Sequence, residues 1–230
     1  MRNFEIKNES GRSMIEMLGV LAIIGVLSVG GIAGYSKAMQ KYRINKTIEQ
    51  VSQISQNIRT FFAPQKDFRG LTTDSTDGKK LIQKAKLVPD EMLELNEDGN
   101  IKQINNAFGG TVRMNTVLNH TGRYNQGVPE SIIATNNYYL FFSNIPQEAC
   151  IDLLSQNWLN TANLYGIATN YTPSSSGAMG TNSRKGCSGF KSGSQYMACV
   201  GGSTYSLPLE VDKAIEFCGQ TTNEISFYFY

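Results

Sequence analysis

Histidine is almost missing from this chain: among 230 residues there is one, His120. A Ser-His-Asp triad or a histidine metal site needs imidazole, and His120 sits in "LNHTG", a turn-like stretch remote from every cysteine. No Gly-Lys-Ser/Thr phosphate loop occurs and no C-x-x-C pair, which argues against nucleotide chemistry and zinc. The acidic group Asp90, Glu91, Glu94, Glu97 and Asp98 lacks the EF-hand order and reads as a solvated helix end. Net charge is only +2, so the composition points to neither a nucleic-acid binder nor an acidic tail. Enzyme is the disfavoured class, and no cofactor or metal is expected. Proline is scarce as well, at six residues, the first being Pro64. Nothing before it need break a helix.

Four cysteines are present, Cys150, Cys187, Cys199 and Cys218. An even number behind an N-terminal apolar segment points to an oxidising compartment and two disulfides. Three pairings are open to sequence.

What the chain does have is a long apolar run. From Met17 to Ser36 there is no charged side chain, twenty residues, about what a helix needs to cross a bilayer. Glu16 stands at the mouth of that run, although a carboxylate near an apolar core costs roughly 3 kcal/mol or more. Beyond the run, Ile44, Ile48, Val51, Ile54 or Ser55, Ile58 and Phe61 or Phe62 recur at steps of three and four. One helix is therefore predicted from about Met14 to Phe62, on the order of 70 Å at 1.5 Å per residue. Gly19, Gly25, Gly30, Gly31 and Gly34 stud its first half, as in helices that pack closely on other helices. Residues 12–62 carry six cations against two carboxylates, a net +4 that reads as a solvated helix face.

"GRSMIE" followed by that run resembles the type IV prepilin leader and N-terminal helix. The resemblance implies that residues 1–11 are a leader cut after Gly11 by an inner-membrane prepilin peptidase. Arg12 would become the new N-terminus, open to N-methylation, although it departs from the Phe or Met common there. Glu16, fifth after the cut, would pair with the N-terminal amine of a neighbouring subunit. Residues 12–62 would be the N-terminal helix, with about 14–36 transmembrane and 37–62 amphipathic, and residues 63–230 the globular head.

In the head, "KKLIQKAKLV" reads as a short helix, "NAFGGTVRM" as entry into a first strand and "NNYYLFFSN" as a central strand. "IPQEACIDLLSQNW" and "PLEVDKAIEFCG" read as helices, and "QYMACV" and "ISFYFY" as further strands. The order resembles type IVb pilin heads. The fold class is then α+β, a long N-terminal helix packed on an antiparallel sheet with a disulfide-bounded C-terminal region. The resemblance favours Cys150–Cys218 with Cys187–Cys199; Cys150–Cys187 with Cys199–Cys218 is the rival. Residues 172–195, Ser/Gly-rich with Arg184, Lys185 and Lys191, read as a surface loop. The implied function is a structural subunit of a type IVb pilus, made in the bacterial inner membrane and displayed outside the cell. Implied partners are other pilin subunits, the peptidase, the inner-membrane assembly machinery and a host-surface or recipient-cell receptor. The alternatives are a minor pilin or type II secretion pseudopilin, or an uncleaved bitopic protein with a periplasmic binding domain. Lysine and arginine flank both ends of the run, so they do not orient it.

Overall fold

A computed structural model describes residues 14–65, 67–117, 137–158, 161, 163–170, 190–192, 195–202 and 204–230. Helix α1 spans Met14–Phe62 and stops two residues before Pro64. The chain divides into two compact units, one ending at Tyr42 and one running Arg43–Tyr230. The unit boundary thus falls inside α1, and the helix from Arg43 onward belongs to the head. Its buried face there is Ile44, Thr47, Gln50, Val51, Ile54, Ser55, Ile58 and Phe62. Fully burying each of the isoleucines is worth roughly 1.5–3 kcal/mol, which outweighs any weak propensity of β-branched residues for helix.

Helix α2, Thr76–Lys84, begins before the "KKLIQKAKLV" segment because Ser75 caps it, its hydroxyl accepting from the Gly78 amide at 3.1 Å. It ends at Lys84, short of the expected Val88, and Lys86 takes a left-handed φ of 49°. A 3-10 turn, Asp90–Met92, then leads into a hairpin of β1, Leu93–Leu95, and β2, Ile101–Ile104. This corrects the reading of the acidic group as a helix end. Glu94 lies on a strand, and Glu97 and Asp98 lie in the hairpin turn, where Asn96 and Gly99 supply the turn chemistry. It also makes β3, Val112–Val117, the third strand rather than the first.

Between β2 and β3 the "NAFGG" turn is organised by Asn106, whose side-chain oxygen accepts from the Phe108 and Gly110 amides at 2.8 and 3.0 Å. Its amide donates to the Ser143 carbonyl at 2.8 Å. Gly109 holds a φ of 79°, and a Cβ at Gly110 would collide with the Ser143 carbonyl.

The main sheet adds β4, Asn137–Pro146, β5, Leu164–Thr169, β6, Phe190–Ser192, β7, Gln195–Val200, β8, Ser206–Leu207, and β9, Thr222–Phe229. Strand order is β3-β4-β9-β5-β7-β6, with β8 beside β7. All pairs are antiparallel except β7 with β8. Helix α3, Gln147–Ser155, follows β4 directly, so Pro146 ends a strand and caps the helix from outside it. Helix α4, Val211–Phe217, precedes β9.

Both faces of the sheet are buried. Tyr138, Leu140, Phe142, Phe227 and Phe229 join the cluster that includes the α1 isoleucines. The alternating residues Tyr139, Phe141 and Tyr228 form a second cluster with Ala168, Met197 and Cys199. Burial on both faces explains why "YYLFF" reads as an unbroken apolar run and not as an alternating one.

Candidate functional site

Every residue of α1 from Met14 to Ala38 is exposed, although the most apolar 18-residue stretch of the helix has a mean hydropathy of 2.2. Met14 is 84 % and Val26 74 % exposed. Water does not tolerate an apolar surface of this extent, so lipid or other helices must cover it. No atom lies within 4 Å of where a Cβ would stand on Gly19, Gly25, Gly30, Gly31 or Gly34. These positions leave the backbone open to the close approach of another helix. The one hydroxyl in mid-run, Ser28, donates to the Ile24 carbonyl at 2.7 Å and so needs no water.

Glu16 lies in the first turn of α1, exposed between Ile15 and Met17. The positive end of the helix dipole favours a carboxylate there. Its neighbours one turn on, Gly19 and Val20, offer no cation, and the next charged residue along the helix is Lys37. Chemically the segment is an apolar rod with a single anion near its start. Gly11 and Arg12 lie outside the described residues, as do His120, Arg184 and Lys185; Lys191 is on β6.

In the head, a disulfide joins Cys150 on α3 to Cys218, the C-cap of α4, with Cα atoms 5.9 Å apart and both residues fully buried. Of the pairings open to sequence, the structure contains this one. Cys199 on β7 is disulfide-bonded too, and Cys187 lies outside the described residues. Trp158 closes the same region, its indole N–H donating to the Leu153 carbonyl at 2.7 Å and its ring 5.2 Å from Phe227. The bridge and this packing hold α3 and α4 as one block.

Polar ties fasten α1 to the loops. Lys46 meets Glu91 at 2.8 Å and Glu49 at 3.2 Å. The hydrogen bond from Glu91, then that from Glu49, raises the Lys46 pKa above its ordinary value. Asn57 donates to the Lys86 and Leu87 carbonyls, both at 3.3 Å. The acidic side chains are dispersed into such pairs: Glu94 meets Lys102, whose hydrogen bond lowers the carboxyl pKa. Among the described residues no three His, Cys, Asp or Glu side chains converge as a metal site.

Sequence reasoning missed two polar residues of the buried α1 face, Thr47 and Gln50. Their spacing of three and four from Ile44, Val51 and Ile54 was the signal, hidden by their chemistry. Thr47 satisfies its hydroxyl on the Arg43 carbonyl at 2.9 Å. It missed β5 as well, whose "LYGIAT" carries a glycine in mid-strand.

No curated protein matches the chain. Among solved structures it resembles a type IVb pilin from Salmonella typhi, at 12 % identity over 80 % of this chain and 97 % of that one, with a TM-score of 0.47. It also resembles TcpA, a type IV pilin from the Vibrio cholerae El Tor biotype, at 11 % identity over 82 % of this chain and 99 % of that one, with a TM-score of 0.49. The assignment rests on neither of these but on the Bundlin family model, which matches residues 36–224. The chain belongs to the bundlin family of type IVb pilins, and is a type IVb pilus subunit.

Proposed function

We propose that the protein is made as an inner-membrane precursor, cut after Gly11 by a prepilin peptidase, and polymerised through α1 with Glu16 paired to the Arg12 α-amine of a neighbouring subunit. The observation that carries this reading is Glu16 itself, the one charge on an exposed apolar helix that runs uncharged from Met17 to Ser36. Among packed helices the carboxylate meets a low dielectric, where an ammonium is its natural partner. Stranding one member of such a pair costs roughly 3–5 kcal/mol. The cut matters because it creates the amine, so processing licenses assembly. Arg12 is the residue open to N-methylation, and Cys187–Cys199 is the second disulfide. Assembly machinery in the inner membrane handles the processed subunit, the pilus carries it outside the cell, and a receptor on a host or recipient cell is the distal partner.

Intact mass and N-terminal sequencing of the membrane-extracted protein, with the peptidase present and absent, test the cut. A chain starting at Arg12 only when the peptidase is present supports it; Met1 in both overturns it. Glu16→Ala should then be processed and inserted normally yet be missing from sheared pili. Normal incorporation of that variant would sink the pairing.

A further inference from the structure

Large exposed apolar side chains of the described head are Phe61, Leu95, Val211 and Ile215. Two of them, Val211 and Ile215, 61 % and 50 % exposed, stand one turn apart on α4 and form a single stripe. Exposed Glu210 and Asp212 flank the stripe and make no ion pair among the described residues, while Lys213 lies 3.8 Å from Glu216. The opposite side of α4 is anchored: Ala214 and Phe217 are fully buried, and the disulfide fixes its end. The outward face is therefore a rigid surface, apolar along its middle and acidic at its border.

A surface of opposite character lies on α2. Lys80 and Lys84 are exposed one turn apart, and Lys86 is exposed just beyond the helix end. None of the three makes an ion pair among the described residues, and they outnumber the exposed Asp77 of the same helix. This helix too is held firmly, by the Ser75 cap and by Ile82, 1 % exposed. The two helices sit toward opposite ends of the strand order. α2 follows Thr72 and Thr73, which bond Asn115 and Met114 of edge strand β3. α4 packs on α3 and stacks Phe217 on Tyr196 of β7.

A filament that extends without closing needs heterologous contacts, two different patches that fit each other. We infer that in the pilus α2 of one subunit docks on α4 of a neighbouring copy, with Lys80, Lys84 and Lys86 meeting Glu210 and Asp212. The lysine stems then cover Val211 and Ile215 while their ammonium groups reach the acidic border. Charge sets the register and rejects α4 against α4, and the contact weakens as salt rises. The inference rests on the chain being a pilus subunit, and on neither the leader cut nor the Glu16 pairing.

The test is a charge swap in the full-length chain. K80E/K84E places like charges opposite α4, and E210K/D212K does so opposite α2. Each should cut sheared pili at least tenfold with membrane levels of the subunit unchanged. All four substitutions in one chain restore complementarity and should recover most of the yield. Failure of that rescue, or normal piliation by either pairwise variant, overturns the inference. Carbodiimide treatment of wild-type pili, which condenses a contacting amine and carboxylate into an amide with loss of water, gives a readout that does not depend on variant folding. Crosslinked peptides joining Lys80, Lys84 or Lys86 to Glu210 or Asp212 should appear in pili and not in detergent-extracted monomer. Their absence from pili, or their presence in monomer, also overturns it. Loss of pili in Glu16→Ala leaves both results unaffected, so the two ideas fail separately.

Discussion

Removing the Cys150–Cys218 bridge should cost the head a large share of its stability. The bond closes a loop of sequence separation 68, and the chain-entropy relation then assigns it about 4 kcal/mol at 25 °C. That compares with roughly 5–15 kcal/mol for a whole domain. Alanine at both positions is the appropriate change, because both residues are fully buried and serine would strand a hydroxyl. Replacing both also leaves no single thiol to exchange with Cys187 or Cys199. The protein contains its own probe: Trp158 is the only tryptophan. It is 2 % exposed and bonded to the Leu153 carbonyl on α3. Urea titration of the detergent-extracted chain, followed by Trp158 emission, should show the midpoint falling by the equivalent of about 4 kcal/mol. The slope should rise as well, since the unfolded chain loses a constraint and exposes more surface. A loss below about 1 kcal/mol with unchanged slope would refute the reasoning, because the loop entropy would then be offset elsewhere.

Ile54→Ala empties a fully buried site on the α1 face and should cost about 2–5 kcal/mol in the same titration, without altering the exposed part of the helix. Gly110→Ala drives a Cβ into the Ser143 carbonyl and should cost about 1–3 kcal/mol; amide exchange should quicken first at Phe108 and Gly110, whose N–H groups Asn106 holds. The Arg69 hydrogen bond holds the Asp67 carboxyl below its usual range, so its contribution is complete above the unfolded carboxyl's pKa and is lost as pH falls through the lowered folded value. A pH series of head stability in acid should show that loss, small because Arg69 is exposed, and Arg69→Gln should abolish it.

The sequence by itself determined everything that depends on near neighbours along the chain. The start and stop of α1 follow from an unbroken apolar run, a repeat of three and four, and Pro64. Glu16 stands out because charge is otherwise absent for twenty residues beyond it. The aromatic run of β4, the Gly109–Gly110 turn and the helices bearing Cys150 and Cys218 were legible for the same reason: each is a local pattern of burial or backbone freedom. The hairpin of β1 and β2 was not, since "LELNEDGNIKQI" is charged enough to pass for a solvated helix end.

Only the tertiary structure decided how distant segments pair. β9, at the end of the chain, inserts between β4 and β5, and each of its edges finds a partner more than fifty residues away. No periodicity encodes that choice, because a strand's alternation says which face is apolar and not which edge it will meet. The same pairing sets Phe227 and Phe229 toward the α1 cluster and Tyr228 toward the second. It also selects one disulfide from three possibilities, by bringing α3 and α4 together at a Cα separation of 5.9 Å. Strand order likewise puts the lysines of α2 and the acidic, apolar face of α4 toward opposite ends of one sheet. Their chemistry was written in the chain, but their opposition is a property of the fold.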